Sequence, residues 1–262
     1  MQNGSTCGLI NCPENIRNLV EEFTTFLKSV LGDNLIGVYL HGSLAMDCFN
    51  PTSSDVDLLI IVGDKLTVKQ KKRIISHLLS SDLVAKRTEM SIVLEKDLKI
   101  LAYPTPFELH YSHDWYDRYK NRQVDFNTQN YDEDLPAHFV VTRQRGICLL
   151  GKPVREIFPE IPRQIYVQSL MADARGIFEN PLKNPVYTVL NLCRLLAFLT
   201  EGAVFSKKEG GEWALLALPE EFHPLIKRVL ALYTGKNTLS AMNLTRLSSF
   251  IKYSKNRAFS LT

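Results

Sequence analysis

The amino-acid sequence predicts an α+β protein in two parts: a mixed sheet with flanking helices over residues 1–150, then an α-helical bundle over residues 151–262. Three observations carry this. The length of 262 residues exceeds the ~100–200 typical of one domain. The first half alternates amphipathic helical stretches with short apolar runs, the pattern of helices packed on a sheet. The second half keeps only the helical period, with the change near Gly151-Lys-Pro153.

From Asn15 to Leu31, Ile16, Leu19, Val20, Phe23, Leu27 and Leu31 recur at three and four residues, an amphipathic helix closed by Gly32. Leu35–His41 reads as a buried strand that meets a turn at Gly42-Ser43. The cluster Pro51-Thr-Ser-Ser54 leads into a second buried strand, Asp55–Val62, stopped by Gly63. Thr67–Leu79 is helical, with Lys69, Lys71, Lys72 and Arg73 opposite Ile74, Ile75, Leu78 and Leu79. Arg87–Leu94 alternates at period two: Thr88, Met90, Ile92 and Leu94 against Arg87, Glu89, Ser91 and Val93. Pro104–Asp134 is polar and aromatic without clear period. Helices are expected at about Pro136–Leu149, Arg163–Glu179, Pro185–Glu201, Glu212–Leu218, Pro224–Tyr233 and Ala241–Asn256.

Composition narrows the function classes. Apolar residues at 45% and charged residues at 23% exclude a disordered, collagen-like or disulfide-scaffold chain. The excess of 31 Lys+Arg over 28 Asp+Glu is too small for a protein that grips long nucleic acid through phosphates, yet leaves room for a local basic pocket. The five cysteines are scattered and lack zinc spacing, which predicts free thiols. The N-terminal stretch has no basic-then-apolar signal pattern, and no apolar run approaches the ~20 residues of a membrane helix. A cytoplasmic protein is the expectation.

The chemistry concentrates in His41-Gly-Ser43, eleven residues, then Asp55-Val-Asp57 at the head of an apolar strand. Residues two apart on a strand share a face, so both carboxylates project together. Paired like charges on an apolar strand are costly unless a cation neutralises them, and a tight oxygen pair suits Mg²⁺ with substrate phosphates as further ligands. Taken alone a D-x-D is common, and Asp57 would serve equally as a solvated edge residue; the continuously apolar Leu58–Val62 argues against an edge. Glu89, on the polar side of its strand, adds a third carboxylate if that strand neighbours Asp55–Val62. Three carboxylates beside a Gly-Ser turn make a metal–triphosphate site.

These residues resemble the DNA polymerase β-like nucleotidyltransferases, and more closely the aminoglycoside (streptomycin/spectinomycin) adenylyltransferases. The likeness runs through Tyr39-Leu-His-Gly-Ser43, Ser54-Asp-Val-Asp-Leu-Leu59, Glu89–Val93, Asn184–Arg194 and Lys207…Glu212-Trp-Ala214, nearly the whole chain. The resemblance implies an N-terminal nucleotidyltransferase domain and transfer of AMP from ATP to an antibiotic hydroxyl. Asp55 and Asp57 would hold two Mg²⁺ ions, and Glu89 would be the catalytic base, a third metal ligand and part of the acceptor site. Gly42, Ser43 and Ser54 would meet the triphosphate, and Arg194 and Lys207 would close on it from the helical part, with Tyr253 near the nucleotide. Trp115, Asn184 and Tyr187 would line the acceptor pocket.

The residues themselves leave other readings open. Asn184, Tyr187, Asn191 and Arg194 share one helix face, which is as readily a solvated one. Lys207-Lys208-Glu209 alone would be surface, Trp115 alone interface packing, and His110 and His113 structural or pocket-lining rather than metal ligands. Position 184 is Asn where the resistance enzymes carry a carboxylate, and Phe178–Lys183 lacks the Trp/Asp pair associated with streptomycin. Spectinomycin is therefore the first expectation as acceptor. Another small molecule or a protein as acceptor, or a nucleotide-binding module without catalysis, remain the alternatives. The expected partners are ATP and a hydroxylated acceptor bound to a monomer, with no nucleic-acid template and no membrane.

Overall fold

The computed structural model describes residues 7–236 and 242–262. They form two compact units, Cys7–Pro162 and Arg163–Thr262. In the first, helix α1 (Glu14–Leu31) leads to strand β1 (Leu35–His41), a one-turn helix α2 (Gly42–Ala45) and strand β2 (Val56–Val62). Helices α3 (Val68–Leu78) and α4 (Asp82–Arg87) precede β3 (Thr88–Leu94) and α5 (Glu95–Ile100). The former aperiodic stretch supplies short strands β4 (Thr105–Phe107) and β5 (Leu109–Tyr111), helix α6 (Tyr116–Lys120) and strand β6 (Asn130–Asp132). Helix α7 (Leu135–Arg145), strand β7 (Ile147–Gly151) and helix α8 (Val154–Ile157) complete the unit.

The main sheet has the order β5-β3-β2-β1-β7, with β2 and β3 parallel and the other pairs antiparallel. The sheet is mixed, as expected, and β2 and β3 are interior strands buried on both faces, which is why they read as nearly continuous apolar runs. One face presents Val38, Leu40, Leu58, Ile60, Met90 and Ile92 to the apolar stripes of α1 and α3. The other presents Tyr39, Leu59, Ile61 and Val93 to Leu135 and Phe139 of α7 and to Ile157 and Phe158. Burial of both faces anchors the register, because a one-residue slip would turn every core side chain outward.

One expected element is corrected. The helix read over Pro136–Leu149 stops at Arg145, and Ile147–Gly151 becomes β7 on the open side of β1. Gly146 is extended there (φ −75°, ψ 159°), which ends the helix at Arg145 and turns the chain into the strand. The pairing of β7 with β1 and the packing of Phe158 on Tyr39 (ring centroids 5.0 Å apart) keep the chain up to Pro162 with the sheet.

The second unit is helical: α9 (Arg163–Glu179), α10 (Pro185–Glu201), α11 (Lys207–Ala217), α12 (His223–Tyr233) and α13 (Leu244–Leu261). Helix α10 is central and packs against the other four, so it is buried on nearly every side rather than along one stripe. Helix α11 begins earlier than its apolar period suggested: Ser206 and Glu209 form a capping box, which makes Lys207 its first residue. The expected start of the last helix at Ala241 lies outside the described residues; the helix begins after Asn243, whose side chain accepts the Arg246 N–H.

Candidate active site

Strand register brings the predicted carboxylates of the first unit into one row. His41 of β1 is opposite Asp57 of β2, and Asp57 is opposite Glu89 of β3. Asp57 and Glu89 are half-buried at the ends of strands whose remaining residues are core. Asp55 stands two residues before Asp57, just ahead of β2, and is also half-buried. The conditional expectation that Glu89 would join the aspartates holds because β2 and β3 are parallel neighbours.

The turn after β1 is shaped around Asp57. Gly42 has φ +63°, a left-handed conformation that L side chains adopt only with strain, and a Cβ on it would run into the Asp57 carboxylate. Gly42 is thus required twice, by its backbone and by the carboxylate against it. Ser43 follows in the first turn of α2, partly exposed. Ser54 is buried; its hydroxyl accepts the Asn50 N–H at 3.0 Å, and its own N–H returns to the Asn50 carbonyl at 2.9 Å. Ser54 therefore closes the turn before the aspartates, a structural task beside its expected phosphate contact. Sequence reasoning missed Arg87, whose guanidinium donates to the carbonyls of Ser54 and Pro51 at 2.9 Å each and clamps that turn. Its partners are remote in sequence, so only its place one residue before β3 hinted at it.

Three histidines surround the row. The His41 and His138 ring centroids are 5.0 Å apart. His138 Nε2 lies 3.1 Å from Asp134 Oδ2 one turn earlier on α7. Burial works against its charge, but the Asp134 carboxylate, helped by Glu89 and Asp132, raises its pKa to about 10. His41 is only 6% exposed, and burial together with the His138 charge lowers its pKa well below the usual histidine range. His110 of β5 faces Ser91 at 2.9 Å and is held down to about 4 by burial, with His138 adding to the effect. His110 thus packs between Ser91 and the rings of Phe107 and Trp115. Trp115 sits in an aromatic group with Phe107, His110 and Tyr119, and the Arg118 guanidinium covers its ring at 4.0 Å. Packing therefore takes much of the ring that was expected to line an acceptor pocket.

The donor set suits a hard divalent cation. Among the described residues no three His, Cys, Asp or Glu side chains converge into a ready cage. Mg²⁺ takes one or two carboxylates and fills its octahedron with water and substrate phosphate oxygens, a donor set that the half-buried carboxylates of Asp55, Asp57 and Glu89 could begin. The cradle at Gly42, which a Cβ would fill, leaves the Asp57 carboxylate room beside the turn.

The second unit holds the other predicted residues. Asn184 is the N-cap of α10, its Oδ1 accepting the Tyr187 N–H at 3.0 Å, so its acceptor role competes with a cap. Tyr187 donates to Asp173 Oδ1 on α9 at 2.9 Å, and Lys207 Nζ stands 4.9 Å from the Tyr187 ring centroid. Arg194 donates from Nε to the Phe205 carbonyl at 2.8 Å and from Nη1 to Asn191 Oδ1 at 3.0 Å. A cleft between α9 and α10 is lined by Leu170, Asp173, Ile177, Asn191, Arg194 and Leu195. Asp173 was not anticipated: it lies on a helix read only for its period. Tyr253 packs on Phe222 with ring centroids 5.0 Å apart.

Comparison with known proteins accounts for both units. A nucleotidyltransferase domain profile matches residues 13–104, and the C-terminal domain of aminoglycoside adenylyltransferases matches residues 156–257. An aminoglycoside (3'')(9) adenylyltransferase of Shigella flexneri is 25% identical over 253 residues, 90% of this chain and 95% of that protein. A spectinomycin 9-adenylyltransferase of Staphylococcus aureus is 24% identical over 249 residues, 92% of this chain and 94% of its own. The crystal structure of a spectinomycin adenyltransferase from Enterococcus faecalis with ATP and spectinomycin has the same fold, with a TM-score of 0.79 at 20% identity, covering 93% of this chain and 99% of that one. With a nucleotidyltransferase domain ahead of this C-terminal domain, and with relatives alike along nearly their full length, the chain is an enzyme of the aminoglycoside adenylyltransferase family of nucleotidyltransferases.

Proposed function

We propose that the enzyme transfers AMP from ATP to a hydroxyl of an aminoglycoside-type antibiotic, spectinomycin foremost, and releases pyrophosphate in the cytoplasm. The observation that carries this reading is the parallel register of Asp57 with Glu89, together with a Gly42 turn that admits only glycine beside the Asp57 carboxylate. The relatives named as aminoglycoside (3'')(9) and spectinomycin 9-adenylyltransferases support the choice of acceptor.

In this reading Glu89 takes the proton of the attacking hydroxyl and must be ionised in the complex with both substrates. Two Mg²⁺ ions held by Asp55, Asp57 and Glu89 would acidify that hydroxyl and offset the charge of the triphosphate. Gly42, Ser43 and Ser54 border the triphosphate, with backbone N–H groups of the turn as donors. Arg194 and Lys207 offset the charge growing on the pyrophosphate. The likeness to the family assigns Trp115, Asn184 and Tyr187 to the acceptor. In this reading the partners are ATP and the acceptor, bound to a monomer without template or membrane.

The test is incubation with Mg-ATP and a panel of aminoglycosides and lincosamides, following pyrophosphate and acceptor mass. Spectinomycin gaining one AMP is the expected result. Transfer to another compound would replace the acceptor, and ATP binding without transfer to any would return the chain to a binding role.

A further inference from the structure

Helix α10 carries a buried polar side chain that none of the assigned roles uses. Asn191 is 7% exposed and stands between Leu190 and Leu192, in a run whose buried members are mostly apolar. Asparagine is a poor helix former, and burying its amide costs free energy unless the amide is hydrogen-bonded. A leucine here would serve both helix and core better. Asn191 is explained by its partner: its Oδ1 accepts from Arg194 Nη1 at 3.0 Å, one turn further along α10.

Arg194 is held on two further sides. Its Nε donates to the Phe205 carbonyl at 2.8 Å, in the connection that leads into α11. A Cβ on Gly210 of α11 would come within 2.8 Å of Arg194 Cγ and 3.3 Å of its Cα, so the stem lies in a groove that only a glycine leaves open. Glycine is unfavourable inside a helix, and Gly210, like Asn191, is a residue that its helix alone would not favour. Three elements thus fix one side chain: an amide of α10, a carbonyl of the α10–α11 connection and the backbone of α11. A guanidinium bonded through Nε alone pivots about that bond, whereas a second bond from Nη1 fixes its plane. The two bonds use two of the five donors of the fork.

We propose that Asn191 is a positioning residue for Arg194: it locks the guanidinium plane so that the rest of the fork meets the phosphate oxygens of the nucleotide already oriented. This rests on the reading of Arg194 as a phosphate ligand. Asn191 touches no substrate in this role. Its contribution is orientation set in advance, so that less rotamer freedom is lost when the nucleotide arrives.

The experiment is a double-mutant cycle of Asn191→Leu with Arg194→Met. It is read as the Kd of Mg-ATP by calorimetry and as kcat/KM for ATP with the acceptor that the panel identifies. Leucine is close to asparagine in size, and methionine keeps an unbranched stem against Gly210. Asn191→Leu should weaken both quantities by about 3–10-fold, the worth of one hydrogen bond. In the Arg194→Met background it should cost nothing further. Asn191→Ala, which a helix favours, is run beside it, with thermal melts to show which variants fold. The ¹⁵N resonances of the Arg194 guanidinium in the nucleotide-free protein give a readout apart from turnover: rotation about Nε–Cζ should quicken in both Asn191 variants. Unchanged rotation, unchanged Kd and kcat/KM, or an equal loss in both Arg194 backgrounds overturns the positioning role. Full activity of Arg194→Met instead takes Arg194 off the phosphates, and the role built on it falls for that separate reason.

Discussion

The two units hold their candidate groups by different means. In the first, backbone does the placing: Asp57 and Glu89 sit where parallel register puts them, Gly42 where its φ of +63° allows, and the preceding turn where Arg87 clamps it. In the second, long side chains reach from helices and are steered by a few hydrogen bonds, as Arg194 is by the Phe205 carbonyl and Asn191. Register is all-or-none, whereas a guanidinium on a flexible stem adjusts. Substitutions in the first unit should therefore abolish chemistry, and those in the second should grade it.

The sharpest break is Asp57→Asn, which keeps the shape of the side chain and removes the charge. Turnover should fall by at least about a hundredfold, the upper end of what even an outer-shell partner of a metal costs. Pyrophosphate release with the identified acceptor measures it, and near-normal release would take Asp57 out of the metal site.

Gly42→Ala tests whether the turn places that carboxylate. The left-handed backbone alone costs about 1–2 kcal/mol for an L residue, and the new Cβ must also push Asp57 aside. Lower stability in urea melts together with a loss of turnover approaching that of Asp57→Asn is expected. A stable, active variant would show that the turn merely passes by.

In the second unit, Arg194→Lys should be milder. Lysine keeps the charge but cannot span the Phe205 carbonyl and the Asn191 side chain together. A loss of about tenfold in kcat/KM for ATP matches the low end for hydrogen bonds to charged groups. Complete loss would mean that this unit is as rigidly set as the first.

What the sequence shows follows the same division. The D-x-D, the Gly-Ser turn and the strand carrying Glu89 are local patterns with a period of two, so they were legible. Their meeting needed only that β2 and β3 be neighbours. The ring contact of His138 with His41 and the clamp of Arg87 on Pro51 and Ser54 were not legible, since those partners are distant in sequence. Strand β7 was lost for a related reason: four apolar residues after a helix declare themselves a strand only against β1. The start of α11 was legible and passed over, because Ser206 and Glu209 stand at capping-box spacing before the period sets in.

A pH series separates the units by stability rather than rate. The His138 pKa stands at about 10, above the ordinary 6.5, so folding gains from its charge below about pH 6.5 and loses that gain as pH rises through about 10. The melting temperature of the wild-type chain should decline across that interval more than that of Asp134→Asn/His138→Gln. Parallel curves would show that the ion pair does not stabilise the fold.

The smallest expected effect belongs to Asn184, where two roles make opposite demands. As the N-cap of α10 it accepts the Tyr187 N–H, and Asn184→Ala should cost about 0.5–2 kcal/mol whatever the acceptor. Asn184→Asp caps equally well, so it leaves stability alone and adds a negative charge at the head of α10. If that position borders the acceptor, the aspartate should lower KM for the more highly charged streptomycin relative to spectinomycin, by several-fold rather than by orders of magnitude at so exposed a site. An unchanged ratio of the two KM values, with stability intact, would show that Asn184 is a cap alone and that acceptor choice lies elsewhere in the cleft lined by Asp173, Asn191 and Arg194.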